Sequence, residues 1–316
     1  MMSAIKRLVI AASANEIFWN LCQKYLLKPA EFVKYARQKY LLRKNFPDLD
    51  EVFAYIAREQ MFLNQWVKNP DAYSQYKNFC TKVASNLTVM NGPFSGMRYP
   101  EMSAAGSAIL PKLIGSYEFE LHPLISKIIK RNYSEVIDVG CAEGYYAVGL
   151  AMNMPETQVF AYDISLYAQA LCREMAKLNL VDDRVFVQGG ITSEMLKKFP
   201  FSHRSLVISD CEGYEAELFT YSNIEALSKC DLLIEVHERK CPNVTRYLTE
   251  LFRETHVLEI VKSIDTLERI ELCNYPEIEG FDAIAKYPIL EERSGLQHWF
   301  FLQSKIYEDG NFSDRK

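Results

Sequence analysis

Val136-Ile137-Asp138-Val139-Gly140-Cys141-Ala142-Glu143-Gly144-Tyr145-Tyr146 is an apolar run that reaches an acid, turns on glycines four residues apart and then opens a helix. Gly140 supplies the freedom for a sharp turn and lets a ligand approach the backbone. Gly144 starts the helix, whose unsatisfied amides and positive end suit a carboxylate. Outward from this stretch, short β-rich runs at 135–139, 158–163, 184–188, 205–210 and 231–237 alternate with helical runs such as 144–152, 166–178 and 244–254. Such alternation predicts a parallel sheet with helices on both faces. Two later runs, 257–264 and 298–303, are separated by a long insertion with no clear crossover helix, which suits a final antiparallel strand.

The expected fold class is therefore α/β: a doubly wound, Rossmann-like seven-stranded sheet, last strand antiparallel, with an α-helical N-terminal region. Residues 1–90 hold no glycine, and their prolines sit beside polar residues that suit helix starts, as in Asn69-Pro70-Asp71. About four helices are expected there. Residues 91–115 hold four glycines and three prolines, so 91–130 reads as an irregular connection and candidate lid. The catalytic domain is expected over 131–305, with 306–316 as a tail.

Composition narrows the class. With 49% hydrophobic and 24% charged residues, a chain of this length can bury a substantial core. The eight cysteines include no CxxC pair, which removes the usual zinc and redox signatures and suits reduced thiols in the cytoplasm. Before Ser13 the apolar stretch is shorter than the ~7–15 residues of a signal segment, and no run approaches the ~20 needed to span a membrane. Residues 1–90 carry 13 Lys+Arg against 7 Asp+Glu, whereas the rest carries 23 against 34. Solvated helix faces explain that asymmetry more simply than an anionic partner.

A second acid lies at the end of Val159-Phe160-Ala161-Tyr162-Asp163, 23 residues beyond Gly140. A carboxylate at that strand tip can accept hydrogen bonds from both ribose hydroxyls of a nucleoside. Asp138 is placed to meet an ammonium or to orient the loop, and Gly190 and Ile191 form a close-approach loop against the adenine. The dinucleotide fingerprint GxGxxG is absent, because Ala142 takes the place of its second glycine. Together these features favour S-adenosylmethionine over NAD. An NAD-dependent oxidoreductase, a nucleic-acid methyltransferase and a non-catalytic scaffold stand as alternatives. Nucleic acid is disfavoured, since the Asn/Asp-Pro-Pro-Tyr/Phe turn common in base-amino methyltransferases is missing after the fourth strand.

The fourth strand leads into Asp210-Cys211-Glu212-Gly213-Tyr214-Glu215, and the fifth ends Glu235-Val236-His237. Alternation along strands puts Asp210 with Glu212, and Glu235 with His237. Asp210 is placed on the cofactor side. His237 suits a general base for a hydroxyl nucleophile, with Glu212 as the competing candidate. Helix N-terminal capping is the competing reading for Glu212 and Glu215. Asp210, Glu212, Glu235 and His237 could instead ligate a divalent ion such as Mg²⁺, although spacing alone sets no coordination geometry. No metal is assigned from the sequence.

The three motifs resemble the FkbM family of methyltransferases, which typically shows DVGxxxGYY, then DxEGxE, then ExH. The segment Leu110 to Glu118 also resembles the approach to the first motif in bacterial members, so the similarity covers roughly residues 90–305. The resemblance implies a class I enzyme that uses S-adenosylmethionine for O-methylation of a sugar, glycan or natural product. It implies cofactor contacts from Gly140, Glu143, Gly144 and Asp163, and acceptor contacts from Glu212 and His237. Two positions depart from the pattern. Cys211 replaces an aliphatic residue, and Asp163 stands where many members have Glu-Pro.

Overall fold

A computed structural model describes residues 68–131, 133–202, 204–292 and 297–307. The helices expected within residues 1–67 lie outside these; the last of that region is α1 (Pro70–Ser85), with its proline in the first turn. The described residues fall into two compact units, 68–78 with 281–285, and 79–280 with 286–307. In the first, the Asp282 amide donates to Gln75 Oε1 at 2.9 Å.

The second unit is built on seven strands: β1 (Glu135–Val139), β2 (Gln158–Tyr162), β3 (Val185–Gln188), β4 (Ser205–Ser209), β5 (Cys230–Val236), β6 (His256–Lys262) and β7 (His298–Ser304). Their order is β3-β2-β1-β4-β5-β7-β6. The first five run parallel, and β7 is antiparallel to both β5 and β6. Helices α2 (Ile109–Ile114) and α3 (His122–Arg131) precede β1. Then α4 (Tyr145–Asn153), α5 (Leu166–Leu178) and α6 (Ser193–Lys198) follow β1, β2 and β3 in turn. Two single-turn helices, α7 (Glu215–Leu218) and α8 (Ile224–Leu227), follow β4, and α9 (Val244–Phe252) follows β5.

The burial explains the sequence pattern. β4 and β5 are buried at every position, as expected of parallel strands covered on both faces, so their centres, Leu206–Ile208 and Leu232–Ile234, read as continuous apolar runs between polar ends. At the edge, β6 alternates less and exposes half of Ile260. On β7, Phe300 packs into the cluster around Ile234, Phe252 and Leu248. Its neighbour Phe301 is equally buried and points to the other face, as period-two alternation requires. Burying a ring of that size contributes about 2 kcal/mol.

Two expectations changed on contact with the fold. The β6–β7 insertion is helical, holding α10 (Thr266–Leu272), a 3₁₀ turn at Pro276–Ile278 and α11 (Ala283–Leu290). Of residues 91–130, read as an irregular connection, the second half holds α2, a 3₁₀ turn at Phe119–Leu121 and α3, while 91–108 are irregular yet packed. Thr88 and Arg98 form a bridge, and Phe94 is buried edge-on against Tyr145 and Tyr146. A Cβ on Gly149 would stand 2.5 Å from the Phe94 ring, so that glycine makes room for it. Arg98 and Asn179 exchange hydrogen bonds of 2.8 Å, fastening the segment to the end of α5.

Register sets the site. Val139 lies opposite Tyr162 on one side and Ser209 on the other, and Ser209 lies opposite Ile234. The carboxyl ends of β2, β1 and β4 therefore finish level, and β5 runs two residues further, to Val236. Chain order reverses between β1 and β4, and it is outside such a switch point that open α/β sheets bind ligands.

Candidate functional site

The turn after β1 is shaped by its neighbours. Gly140 has φ +83°, and a Cβ there would lie 1.9 Å from the Asp210 carbonyl oxygen. The first turn thus runs hard against the β4 tip, and only glycine fits both the angle and the space. The Gly140 and Cys141 amides both donate to the Tyr162 carbonyl, at 2.8 and 3.0 Å, which ties the turn to β2. Asp163 completes it. Its Oδ2 accepts from the Ala142 amide at 3.0 Å and its Oδ1 from the Ser165 amide at 2.7 Å. Each carboxylate oxygen retains a lone pair for a ligand.

A cavity of about 720 Å³ opens above these strand ends. Of the residues assigned to the cofactor from sequence, Asp138, Gly140, Asp163, Gly190, Ile191 and Asp210 line it. Glu143 and Gly144 do not. Glu143 is buried and turned away, its carboxylate accepting from Lys112 Nζ, from Tyr99 Oη at 3.3 Å and from the Ala105 amide at 2.9 Å. It anchors the 99–112 segment to the glycine turn. Gly144 faces α5, where a Cβ would meet Cys172 Sγ at 2.8 Å.

Asp138 is only 3% exposed, and its Oδ2 has no hydrogen-bond partner. Burial, then the charges of Asp210 and Asp163, push its pKa up to about 7; the Ala147 amide and Lys112 pull the other way and lose. A buried carboxyl left short of partners is costly. Meeting a cation from the cavity would relieve that cost.

At the β4–β5 end the wall is made of side chains. Glu212 has φ +57° and is followed by Gly213 at φ +106°, a tight turn that brings Glu212 back beside β5. His237, buried at 3% exposure, stands at the centre. Its Nδ1 is 2.5 Å from Oε1 of Glu215, which also accepts the Gly213 amide. Its Nε2 faces Glu235 Oε2 at 3.4 Å, Asp210 Oδ1 at 3.5 Å and Glu212 Oε2 at 3.6 Å. Burial lowers the ring's pKa, but the hydrogen bonds to Glu215 and Glu235 and the charges of Glu235 and Asp210 more than reverse this, to about 10. At neutral pH the ring holds both protons. A ring in that state donates hydrogen bonds from both nitrogens.

Several lining residues had no local signal in the sequence. Lys112, on α2, sits over the Tyr117 ring at 4.6 Å while paired with Glu143. Glu292 reaches the wall from beyond α11, bonded to Arg269 at 2.6 Å and to the Glu118 amide at 2.8 Å. Ala105, Gly106 and Ser107 close the wall from the packed segment before α2. Behind the lining stands Glu215, fully buried: the DxEGxE spacing that presents Glu212 also carries it, but its partnership with His237 needs the β4 and β5 tips side by side.

Known proteins resemble this chain in part. The family model of the methyltransferase small domain matches residues 122–202. A release factor glutamine methyltransferase from Flavobacterium psychrophilum is 37% identical over 70 residues, a match covering 20% of this chain and 25% of that protein. Among solved structures, precorrin-6y C5,15-methyltransferase from Geobacter metallireducens covers 58% of this chain and 89% of its own at 12% identity, TM-score 0.39. Geranyl diphosphate C-methyltransferase from Streptomyces coelicolor covers 58% and 76% at 14% identity, TM-score 0.36. With scores this low, the fold stands on its own strand order and register. No helix among the described residues is long and apolar enough to cross a membrane. The chain spans about a quarter of the length of the curated relative it matches, and the segment with methyltransferase likeness, 122–202, is the one that holds Asp138, Gly140 and Asp163.

Proposed function

We propose that the protein is an S-adenosylmethionine-dependent methyltransferase of FkbM type that methylates a hydroxyl on a sugar, glycan or other small natural product. One observation carries this reading: a single cavity joins the glycine turn and acids at β1 and β2 to an acid–imidazole end at β4 and β5. The partnerless Asp138 oxygen suits the ammonium of the cofactor's amino-acid part, and Asp163 suits the ribose. Gly190 and Ile191 would flank the adenine. Glu143 supports this pocket indirectly, by anchoring its wall.

Methyl transfer needs the nucleophile in line behind the methyl group. Asp210, Glu212, Glu235 and His237 are the groups placed to orient an acceptor hydroxyl. His237 holds its protons in the ground state, so the acceptor's proton goes to a neighbouring carboxylate, with the imidazolium as a positioning donor. Cysteines held as thiols outside any disulfide, such as Cys172, Cys230 and Cys273, suit the cytoplasm.

Thermal unfolding with S-adenosylhomocysteine or NADH discriminates the readings. A ligand at a hundred times its Kd stabilises by about 2.7 kcal/mol, several degrees for a chain of this size. S-adenosylhomocysteine should produce that shift and NADH none; the reverse pattern would make the protein an oxidoreductase.

A further inference from the structure

We propose, on the methyltransferase reading above, that Asp210, Glu212 and His237 form a divalent-cation site at the β4–β5 end of the cavity. It would take an ion of the Mg²⁺ or Mn²⁺ class and hold the acceptor's hydroxyl oxygen. One donor atom from each residue, Asp210 and Glu212 carboxylate oxygens and a His237 ring nitrogen, lies within 4.8 Å of the others. Ligands at ~2.1 Å from one small ion sit about 3 Å or more apart, so side-chain rotations suffice to gather these three. Glu235 Oε2, at 3.4 Å from Nε2, stands beside them. Carboxylate oxygens with one imidazole suit Mg²⁺ or Mn²⁺ better than a thiol-seeking metal.

Two observations outside the donor set support it. First, His237 gives its other nitrogen to Glu215, whose side chain is fully buried. That is how metal-binding histidines are held: an outer carboxylate fixes the tautomer and aims the far nitrogen. Second, Asp138 is 97% buried, lines the same cavity with an oxygen that has no partner, and feels the charge of Asp210. Lys112, the lysine of the cavity wall, is already paired with Glu143. At the rim of the cavity Lys240 pairs with Glu212, a partnership that a bound ion would take over.

An ion here would take the place of the Nε2 proton and leave His237 a neutral ligand, still donating from Nδ1 to Glu215. Bound to it, the acceptor hydroxyl ionises more readily. Its O–H bond breaks and the proton passes to Glu235. The new O–CH₃ bond forms as the S–CH₃ bond breaks, and the sulfonium leaves as a neutral thioether.

The test is a titration of the full chain with Mn²⁺ alone, read by electron paramagnetic resonance of the unbound ion. One Mn²⁺ per chain is expected. Asp210→Asn and His237→Ala should weaken binding tenfold or more. Glu215→Gln, which touches no ion, should weaken it about tenfold while leaving S-adenosylhomocysteine affinity unchanged, a pattern that loss of folding would not give. Glu212→Gln is the safeguard variant, because that side chain is 61% exposed and its replacement cannot empty the core; it too should weaken Mn²⁺. No stoichiometric uptake, or uptake undiminished by these changes, overturns the site. S-adenosylhomocysteine binding to EDTA-treated protein tests the methyltransferase reading separately, and its failure beside intact Mn²⁺ uptake would overturn that reading while the cation site stood.

Discussion

The two ends of the cavity are built by opposite means. At the β1–β2 end, backbone does the shaping: Gly140 turns against the Asp210 carbonyl, two amides share the Tyr162 carbonyl, and Asp163 is tied to two more amides. At the β4–β5 end, ionisable side chains crowd one imidazole. The first end has a shape that a glycine-to-alanine change should ruin. The second has a charge pattern that tolerates change of shape but not of sign. What this teaches is that recognition and chemistry are separable here, although neighbouring strand tips of one sheet supply both.

The largest expected effect tests the first half of that contrast. Gly140→Ala puts a methyl 1.9 Å from a backbone oxygen at a φ that side chains rarely adopt. A clash with main chain cannot be relieved by rotating a side chain, so the cost should reach about 4 kcal/mol, read by urea unfolding. Gly189→Ala provides the contrast. Nothing lies within 4 Å of the added carbon, and stability should stay within about 0.5 kcal/mol. Equal costs at the two positions would mean that the turn is not the rigid element described.

Next in size is Asp163→Ala, which removes the carboxylate from the Ala142 and Ser165 amides as well as from any ribose. A loss of about 2 kcal/mol, roughly thirtyfold in S-adenosylhomocysteine affinity by calorimetry, is expected from charge-assisted bonds of this kind. The same measurement on His237→Ala should change by less than about threefold, since that ring belongs to the other end. If both variants lost affinity equally, the two ends would be one functional unit.

How much of this was legible in the sequence differs between the same two ends. The glycine turn and both strand-tip acids were visible because they are local: a strand, its turn and its helix lie within a dozen residues. The parallel sheet followed from alternation and the antiparallel last strand from the run at 298–303, whereas the strand order came from the structure. What stayed hidden was set by distance or by weak pattern. Glu143 has a motif position that suggests a ligand, yet its partners Tyr99, Ala105 and Lys112 come from a segment whose packing no local rule predicts. The β6–β7 helices were missed for a different reason. α11 has Pro288 inside it and too few polar residues to show a face. α10 did carry a signal: Asp265 caps the Glu268 amide at 2.8 Å, an acid three residues before a glutamate, which is a helix start.

The smallest expected effect sharpens the comparison most, because it is a charge effect at the end otherwise governed by shape. Asp138 has its pKa raised to about 7 from 3.8 by burial, then by Asp210 and Asp163, against the Ala147 amide and Lys112. The native protein therefore holds that proton more tightly than the unfolded chain does. From this group, stability without ligand is fully present below about pH 4 and is lost as pH rises through about 7. Cofactor binding has the opposite sign. An ammonium beside Asp138 favours the carboxylate and lowers its pKa in the complex, so S-adenosylhomocysteine affinity should rise with pH up to about 7 and level off above it. Below that point it should fall by about tenfold in all, the effect of a pKa lowered by about one unit in the complex. Calorimetry from about pH 5 to 8 reads the slope, and Asp138→Asn, which cannot ionise, should flatten it. A wild-type affinity that is level across that range would place the cofactor's ammonium away from Asp138 and leave its buried oxygen without the role given to it.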